Sequence, residues 1–271
     1  MRVVAPVFGA IGTMWLRILI GGAALLGYAI VTRADLGFRQ WWKQYLVIGA
    51  MNSVFPFALI AYAMKTLPAG YGAILNALSP FFGVLFATAM LDEKLGNGRL
   101  LGMVLGFCGV VMIMNLGPVP INADTLIAVA MSIVATISYG FISVYAKKHT
   151  KGAPNIGVAT GALILPALLI APIAAPLTIW SMPTINVLLS LAALGILCSG
   201  VAYILYYGLI RDVGPTKAIS VTFLIPLFGV LWGVLFLDEA LTAGVVTGGC
   251  VVLLGMALVL GLIKPGIKAS A

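Results

Sequence analysis

Nine apolar stretches of about the length needed to cross a bilayer follow one another along the chain. Only 8% of the 271 residues are charged, whereas a soluble domain usually needs about 25%. Because lipid cannot satisfy the backbone polar groups of an open strand, we expect these stretches to be helices. The sequence therefore predicts an all-α polytopic membrane bundle of about nine transmembrane helices, at roughly 5–31, 45–64, 69–91, 99–116, 124–146, 155–176, 185–209, 216–237 and 242–263.

Lysine and arginine are distributed unevenly between the two sets of loops. If loop 32–44 is cytoplasmic, alternate loops on that side hold 12 of the 15 basic residues, while the opposite side keeps only Arg2 and Lys65. This is the positive-inside pattern. It predicts a cytoplasmic C-terminus and an external N-terminus, and it explains the net charge of +8 without a nucleic-acid partner.

The sequence aligns with itself at a shift of 146 residues. The segments that start at Leu78 and Leu224 match at 13 of 32 positions without a gap, including a proline, an Asp-Glu pair and several glycines. The span at 69–91 thereby pairs with the span at 216–237, five helices later. An odd number of helices per repeat predicts two inverted halves, a plan that many secondary transporters share, with the substrate site near the midplane between them.

The same shift places the counterpart of the helix at 124–146 before Met1. We therefore expect a first repeat of four helices at 1–116 and a second repeat of five helices at 124–263, with the first helix of the first repeat absent. Two explanations stay open. Either the natural chain starts further upstream, which matched halves favour, or nine helices suffice.

The repeated pattern P-x-F-G-V-L…L-D-E-x-L…G resembles the drug/metabolite transporter superfamily, EamA type, over essentially the whole chain. The segment APVFGAIGTMWLRILIGGAALL is also similar to the second helix of that family, with a proline near its start and an arginine within it. The resemblance implies ten spans, two cytoplasmic termini, a location in the bacterial inner (plasma) membrane, no use of ATP, and export or exchange of small metabolites, amino acids among them. This chain departs from it by one N-terminal helix.

Arg17 is the only formal charge well inside a predicted span. Intramembrane charges are costly and often functional, so Arg17 is a candidate to hold a carboxylate or another anionic group of a substrate. Two alternatives remain open: the side chain caps backbone carbonyls, or it snorkels toward an interface.

Polar and aromatic side chains inside spans usually face the interior of a bundle. We therefore predict a substrate-binding set, with interhelical hydrogen bonding, packing and an aromatic belt as the alternative roles. Asn76 and Thr222 are repeat equivalents, which favours a position near the pseudo-two-fold interface. The predicted set comprises Arg17, Trp15, Asn52, Asn76, Ser79, Tyr139, Tyr203 and Thr222.

Two prolines occupy equivalent positions in apolar helices, Pro80 and Pro226. Proline inside a helix frees a carbonyl and produces a kink, so these residues are candidate hinges, with plain packing as the alternative. The two Asp-Glu pairs, 92–93 and 238–239, lie between helices, and inverted topology places them on opposite faces. We expect a helix-capping or loop role for them, with a gate-locking ion pair as the alternative.

No motif for a nucleotide-binding enzyme, a metalloprotease or a hydrolase is present, and the cysteines and the single histidine lack metal-ligand spacing. We therefore expect no enzyme and no cofactor. The leading hypothesis is a secondary transporter of an amino acid or a similar polar or amphipathic metabolite, acting by alternating access. Because no acidic residue lies within a span, exchange or facilitated diffusion is favoured over proton antiport.

Two other functions compete with this hypothesis. The first is a multidrug exporter in which tyrosine and tryptophan rings stack on aromatic cations, although the positive charge of Arg17 argues against it. The second is a membrane-embedded enzyme that modifies lipids, which would need clustered acids or histidines. The expected partners are a small-molecule substrate and the lipid bilayer, with no nucleic acid, in a monomer or homodimer.

Overall fold

The computed structural model describes residues 4–93, 95–116, 119–179, 182–218, 221, 224–237 and 241–262. Regular structure within these ranges is helical, and they contain no strand. In the first part of the chain the elements are α1 (Ala5–Thr32), α2 (Phe38–Gly49), the π-helix π1 (Ala50–Val54), α3 (Phe55–Ala63), α4 (Ala69–Asn76), α5 (Ser79–Leu91) and α6 (Asn97–Leu116).

The second part of the chain continues in the same all-helical manner. Its elements are α7 (Ala123–His149), α8 (Asn155–Leu177), α9 (Ile185–Gly195), the π-helix π2 (Ile196–Val201), α10 (Ala202–Val213), α11 (Pro215–Ala218), α12 (Leu224–Leu237) and α13 (Ala243–Val259). The all-α prediction is therefore confirmed for the part of the chain that the structure describes.

Six helical segments among the described residues are long and apolar enough to cross a membrane. Two shorter apolar helices, Asn97–Ile113 and Ala243–Val259, accompany them. These lengths agree with a multi-pass membrane protein. The six segments are Ala5–Thr32, Phe38–Ala63, Gly70–Leu91, Ala123–His149, Asn155–Leu177 and Ile185–Val213.

The second membrane helix begins earlier than its apolar run. The sequence predicts a start near residue 45, whereas α2 begins at Phe38. Its first turns are amphipathic, so a search for continuous apolar residues misses them. The ring of Phe38 packs edge-on against Tyr45 at 5.7 Å between centroids, and the Tyr45 hydroxyl donates to the Leu36 carbonyl at 3.0 Å. These contacts anchor the added turns.

Two π-helices interrupt otherwise continuous membrane helices. π1 lies between α2 and α3, and π2 lies between α9 and α10. They begin at Ala50 and Ile196, which is the interval of 146 residues at which the sequence aligns with itself. A π-turn is rare and often occurs at a functional site. The sequence contains no local signal that predicted either one.

The span predicted at 69–91 is divided into two helices. α4 ends at Asn76 and α5 begins at Ser79. Pro80 therefore lies in the first turn of α5, where its missing N–H costs no helical hydrogen bond. Pro226 is the third residue of α12. The hinge role of both prolines stays a prediction.

Contacts between Cα atoms divide the chain into two compact units. The first unit comprises Met1–Ala58 and Tyr145–Gly214, and the second comprises Leu59–Val144 and Pro215–Ala271. Each unit takes a segment from both predicted repeats. The repeat boundaries, 1–116 and 124–263, stay a prediction.

In the first unit, α1 packs along α8 and also contacts α9 and π2. The approach to α9 is close: a Cβ atom added to Gly21 would lie 2.6 Å from the carbonyl oxygen of Gly195. Only a residue without a side chain permits this separation. The contact brings the middle of α1, which carries Arg17, against π2.

In the second unit, α6 and α13 pack through glycines in a reciprocal arrangement. A Cβ atom added to Gly109 would lie 2.7 Å from the carbonyl oxygen of Gly248, and one added to Gly248 would lie 2.7 Å from that of Gly109. Gly102 and Gly255 oppose each other in the same manner. The two helices are therefore antiparallel, and these glycines form their packing face.

The first Asp-Glu pair lies at the end of α5. Asp92 has left-handed backbone geometry (φ 56°) and occupies the C-cap position of α5. Glu93 forms an ion pair with Arg99 of α6, with 3.3 Å between Oε2 and Nη1. The second pair, 238–239, lies outside the described residues.

The glycine contact between α6 and α13 generates a stability prediction. Gly109→Ala places a methyl group against the Gly248 carbonyl and should destabilise the protein by about 1–3 kcal/mol through overpacking. Thermal unfolding of the detergent-solubilised chain measures this change. Gly27→Ala is the matched control, because its Cβ meets nothing within 4 Å and alanine favours a helix. Equal unfolding temperatures for the two variants would contradict the packing assignment.

Candidate functional site

Arg17 lies in the middle of α1, and its half-buried side chain reaches across to π2. Its Nε donates to Ser199 Oγ at 2.6 Å, and its Nη2 donates to the Cys198 carbonyl at 3.1 Å. Ser199 Oγ donates in turn to the Leu194 carbonyl at 3.1 Å. The guanidinium is therefore held by a hydroxyl and a peptide carbonyl, both of them neutral groups.

The face of the same guanidinium covers an aromatic ring. Its Cζ lies 4.9 Å from the centroid of Phe57, which is within the range of a cation–π interaction. No carboxylate among the described residues forms an ion pair with Arg17. A guanidinium has five N–H donors, and the two hydrogen bonds leave the others available to a ligand.

Tyr203 lies on α10 and connects π1 to the residues around Arg17. Its hydroxyl accepts a hydrogen bond from Asn52 Nδ2 at 2.8 Å and also bonds to Ser53 Oγ. Asn52 and Ser53 belong to π1, and all three side chains are buried. Tyr203 follows Ser199, the hydrogen-bond partner of Arg17, by four residues along the chain. The name "arginine cluster" is used below for Arg17, Asn52, Ser53, Phe57, Ser199 and Tyr203.

Repeat-equivalent positions contribute pairs of residues to the arginine cluster. Ser53 and Ser199 are 146 residues apart, and so are Phe57 and Tyr203. Each predicted repeat therefore has a π-helix that contains a serine at the same position. The chemistry differs, because the Phe57 ring supports a cation whereas Tyr203 adds a hydroxyl that binds π1.

The structure brings together three members of the predicted substrate-binding set, Arg17, Asn52 and Tyr203. Trp15 lies in the same unit, but it is buried and its indole Nε1 donates to the Ala167 carbonyl at 2.9 Å. That bond uses the only hydrogen-bond donor of the tryptophan side chain. The observed contacts of Trp15 are therefore with α8.

The remaining described members belong to the second unit. Ser79 Oγ donates to the Asn76 carbonyl at 2.6 Å, a local bond across the break between α4 and α5. Asn76 also lines a cavity of about 10 Å³, which suits one water molecule. Tyr139 is half-buried on α7. Thr222 lies outside the described residues, and so does the side chain of Pro226.

Ser53, Phe57, Cys198 and Ser199 complete the geometry but are absent from the predicted set. The self-alignment carried a usable signal for the serines, since both fall at equivalent places in apolar helices. Phe57 had no such signal, because a phenylalanine in a membrane helix is ordinary. Among the described residues, no group of histidine, cysteine or acidic side chains is placed to hold a metal ion.

Comparisons with known proteins agree with one another. The model of the EamA-like transporter family matches residues 1–115 and 126–261. The uncharacterized transporter YvbV of Bacillus subtilis (strain 168) is 26% identical over 249 residues, which cover 90% of this chain and 80% of that protein. The uncharacterized inner membrane transporter YedA of Escherichia coli (strain K12) is 26% identical over 222 residues, covering 80% and 70%.

A solved crystal structure shares the fold. It superposes with a TM-score of 0.74 at 19% identity and covers 99% of this chain and 92% of its own. At that identity the likeness concerns the fold alone.

The hydrogen bonds of Tyr203 generate a second stability prediction. Tyr203→Phe leaves Asn52 and Ser53 buried without their shared partner and should cost about 1–3 kcal/mol. Tyr206→Phe is the control, because no hydrogen bond of its hydroxyl occurs among the described residues. Thermal unfolding in detergent compares the two variants. A Tyr203→Phe variant as stable as the control would contradict the bridging role of the hydroxyl.

Proposed function

This chain belongs to the EamA-like transporter family, and on that premise we propose that it is a secondary transporter of a small metabolite that carries a carboxylate. An amino acid or a similar amphipathic solute fits best, moved by export or exchange through alternating access. The observation that carries the proposal is the half-buried Arg17, a charge within an apolar helix whose described partners are all neutral.

The surroundings of Arg17 suit a ligand carboxylate. An unpaired charge within a membrane span is expensive, and a carboxylate lowers that cost by direct pairing. The bonds to Ser199 and Cys198, together with the Phe57 ring, hold the guanidinium plane in one orientation. A guanidinium held in this way can donate two parallel hydrogen bonds to one carboxylate.

The other members of the arginine cluster provide for an amine and an apolar side chain. Asn52 uses its Nδ2 to bind Tyr203, so its carbonyl oxygen serves as an acceptor for a substrate amine. The rings of Phe57 and Tyr203 provide an apolar wall beside these polar groups. A zwitterion with a modest apolar portion matches this combination better than a simple anion does.

Two inverted repeats of about nine spans, 1–116 and 124–263, form the architecture in this proposal. Two findings support it: π1 and π2 begin 146 residues apart, and the equivalent helices α6 and α13 meet through reciprocal glycine contacts. Reciprocal contacts are what a two-fold relation requires. Alternating access then follows from relative motion of the two repeats.

The proposed location is the plasma membrane, with the C-terminus in the cytoplasm. The support is the concentration of lysine and arginine in alternate loops. The relative YedA is named an inner membrane transporter, which agrees with this placement.

Substitution of Arg17 tests the proposed substrate class. In proteoliposomes, Arg17→Gln should lower counterflow of the preferred amino acid by about tenfold or more, because a hydrogen bond to a charged group contributes about 1.5–3 kcal/mol. Arg39→Gln is the control, since Arg39 is exposed at the start of α2. The assay panel contains amino acids, nucleosides and cationic dyes. Transport of dyes alone, or unchanged counterflow in Arg17→Gln, would contradict the proposal.

The positions of the acidic residues predict the coupling mode. Among the described residues, acidic side chains lie in loops or at helix ends, as Asp35, Asp92, Asp124 and Asp212 do. No described carboxylate is thus placed in a span interior to carry a proton. The rate of counterflow should therefore stay constant between pH 6 and pH 8, roughly the range in which histidine titrates. A protonophore should also leave the rate unchanged. Strict dependence on a proton gradient would refute exchange.

A further inference from the structure

A cavity lies in the first unit, apart from the arginine cluster. It has a volume of about 390 Å³ and is formed by the end of α7, the following loop, the start of α8 and the end of α10. Its polar lining includes Lys147, Lys151, Asn155, Tyr207 and Arg211. None of these residues belongs to the arginine cluster. The cavity falls among the loops that the charge distribution assigns to the cytoplasmic side.

Tyr207 lines this cavity, and its hydroxyl is buried. The residue is only 4% exposed, and its hydroxyl has no hydrogen-bond partner among the described residues. The rings of Tyr203 and Tyr206 pack edge-on against it, at 5.6 and 5.7 Å between centroids, and hold its ring in place. A buried polar group without a partner is costly, so the hydroxyl of this lining residue is a candidate to bind a ligand that enters the cavity.

Positively charged side chains line the same cavity. Lys147 Nζ donates to the Arg211 carbonyl at 2.6 Å, which fixes the ammonium at the cavity and leaves its other N–H donors available. Lys151 is exposed at the cavity edge. The Arg211 guanidinium is paired with Asp212 at 2.8 Å, so that carboxylate balances one charge. The charges of the Lys147 and Lys151 ammonium groups are not balanced in this way, so the lining keeps a net positive charge.

The start of α8 adds backbone donors. The helix begins at Asn155, and its N-cap residue, Pro154, has no side-chain oxygen to accept from the first-turn amides. The Asn155 side chain does not cap the helix either, because its Nδ2 donates to the Ile204 carbonyl of α10 at 2.9 Å. The N-terminus of a 23-residue helix therefore adjoins the cavity uncapped, and its dipole favours an anion there.

We propose that this cavity binds a phosphate group. The ammonium groups, the Tyr207 hydroxyl and the helix N-terminus approach from three segments of the chain, and a phosphate presents several strong acceptor oxygens at once. A carboxylate carries one negative charge on two oxygens, whereas a phosphate group carries up to about two charges on more oxygens, which matches the two ammonium groups better. Two sources offer the same chemistry: the headgroup of an anionic phospholipid in the adjacent leaflet, and free phosphate or a phosphorylated solute.

The first arm of the test measures thermal unfolding of the whole chain in detergent. Inorganic phosphate is titrated at constant ionic strength. Phosphate should raise the unfolding temperature, and Tyr207→Phe and Lys151→Ala should each weaken the apparent affinity by about tenfold, as expected for one hydrogen bond to a charged group. Lys148→Ala is the matched control, because this neighbouring lysine of α7 is exposed and does not line the cavity.

A property of Tyr207→Phe separates ligand binding from a structural role. Without phosphate, the variant should be at least as stable as the natural protein, because it removes a buried hydroxyl that has no hydrogen-bond partner in the described part of the chain. A large loss of stability without phosphate would mean that the hydroxyl has a structural partner, and it would overturn the assignment. In Arg17→Gln, phosphate should raise the unfolding temperature as much as in the natural protein. The phosphate proposal can therefore be tested even if the transport proposal fails.

The second arm identifies the source of the phosphate. Native mass spectrometry of protein released from nanodiscs of phosphatidylglycerol or phosphatidylcholine counts the retained lipids. Retention of phosphatidylglycerol that falls in Lys151→Ala and Tyr207→Phe assigns a lipid headgroup, whereas a response to inorganic phosphate alone assigns a soluble ligand. The absence of both responses, or an equal loss in Lys148→Ala, would overturn the proposal.

Discussion

The positive charge of Arg17 within an apolar helix is the constraint on which the organisation of the first unit depends. The backbone of α1 cannot supply the polar partners, because its carbonyls are occupied by helical hydrogen bonds. Those partners come from π2, as the Ser199 hydroxyl and the Cys198 carbonyl. The side chain reaches them because Gly21 and Gly195 allow the two backbones to approach closely. Glycine packing and the arginine contacts therefore belong to one arrangement.

The π-helices explain how backbone and hydroxyl groups become available inside a hydrocarbon layer. A π-turn shifts the register of the helical bonds and exposes groups that an α-helix would occupy. Both π-helices carry a serine, but the aromatic residues that follow have diverged. Phe57 supports the guanidinium, while Tyr203 binds Asn52 and Ser53. The same backbone feature, a π-helix that contains a serine, thus accompanies two different sets of contacts.

Sequence reasoning identified part of the arginine cluster and missed the rest for definable reasons. Arg17 was predicted because a charge in an apolar run is conspicuous. Phe57 is inconspicuous, and the contacts of Phe57 and Ser199 with Arg17 depend on the rotation of α1 against helices far away in the chain. Trp15 was predicted as an aromatic residue close to Arg17 in sequence, and its indole binds a carbonyl of α8. Composition cannot distinguish these outcomes, since both side chains occupy the same helix two residues apart.

The sequence by itself determined that the chain is an all-α membrane protein of a transporter family, with a repeated motif and asymmetric loop charges. The all-α membrane class followed because hydrocarbon tolerates only backbones whose polar groups are satisfied internally. The family followed from the resemblance of the repeated motif to EamA-type transporters. Only the tertiary structure decided which polar side chains meet and where π1 and π2 fall. It alone revealed that Tyr207 borders a basic cavity. These outcomes depend on the rotation and register of helices distant in sequence, and no local pattern encodes either quantity.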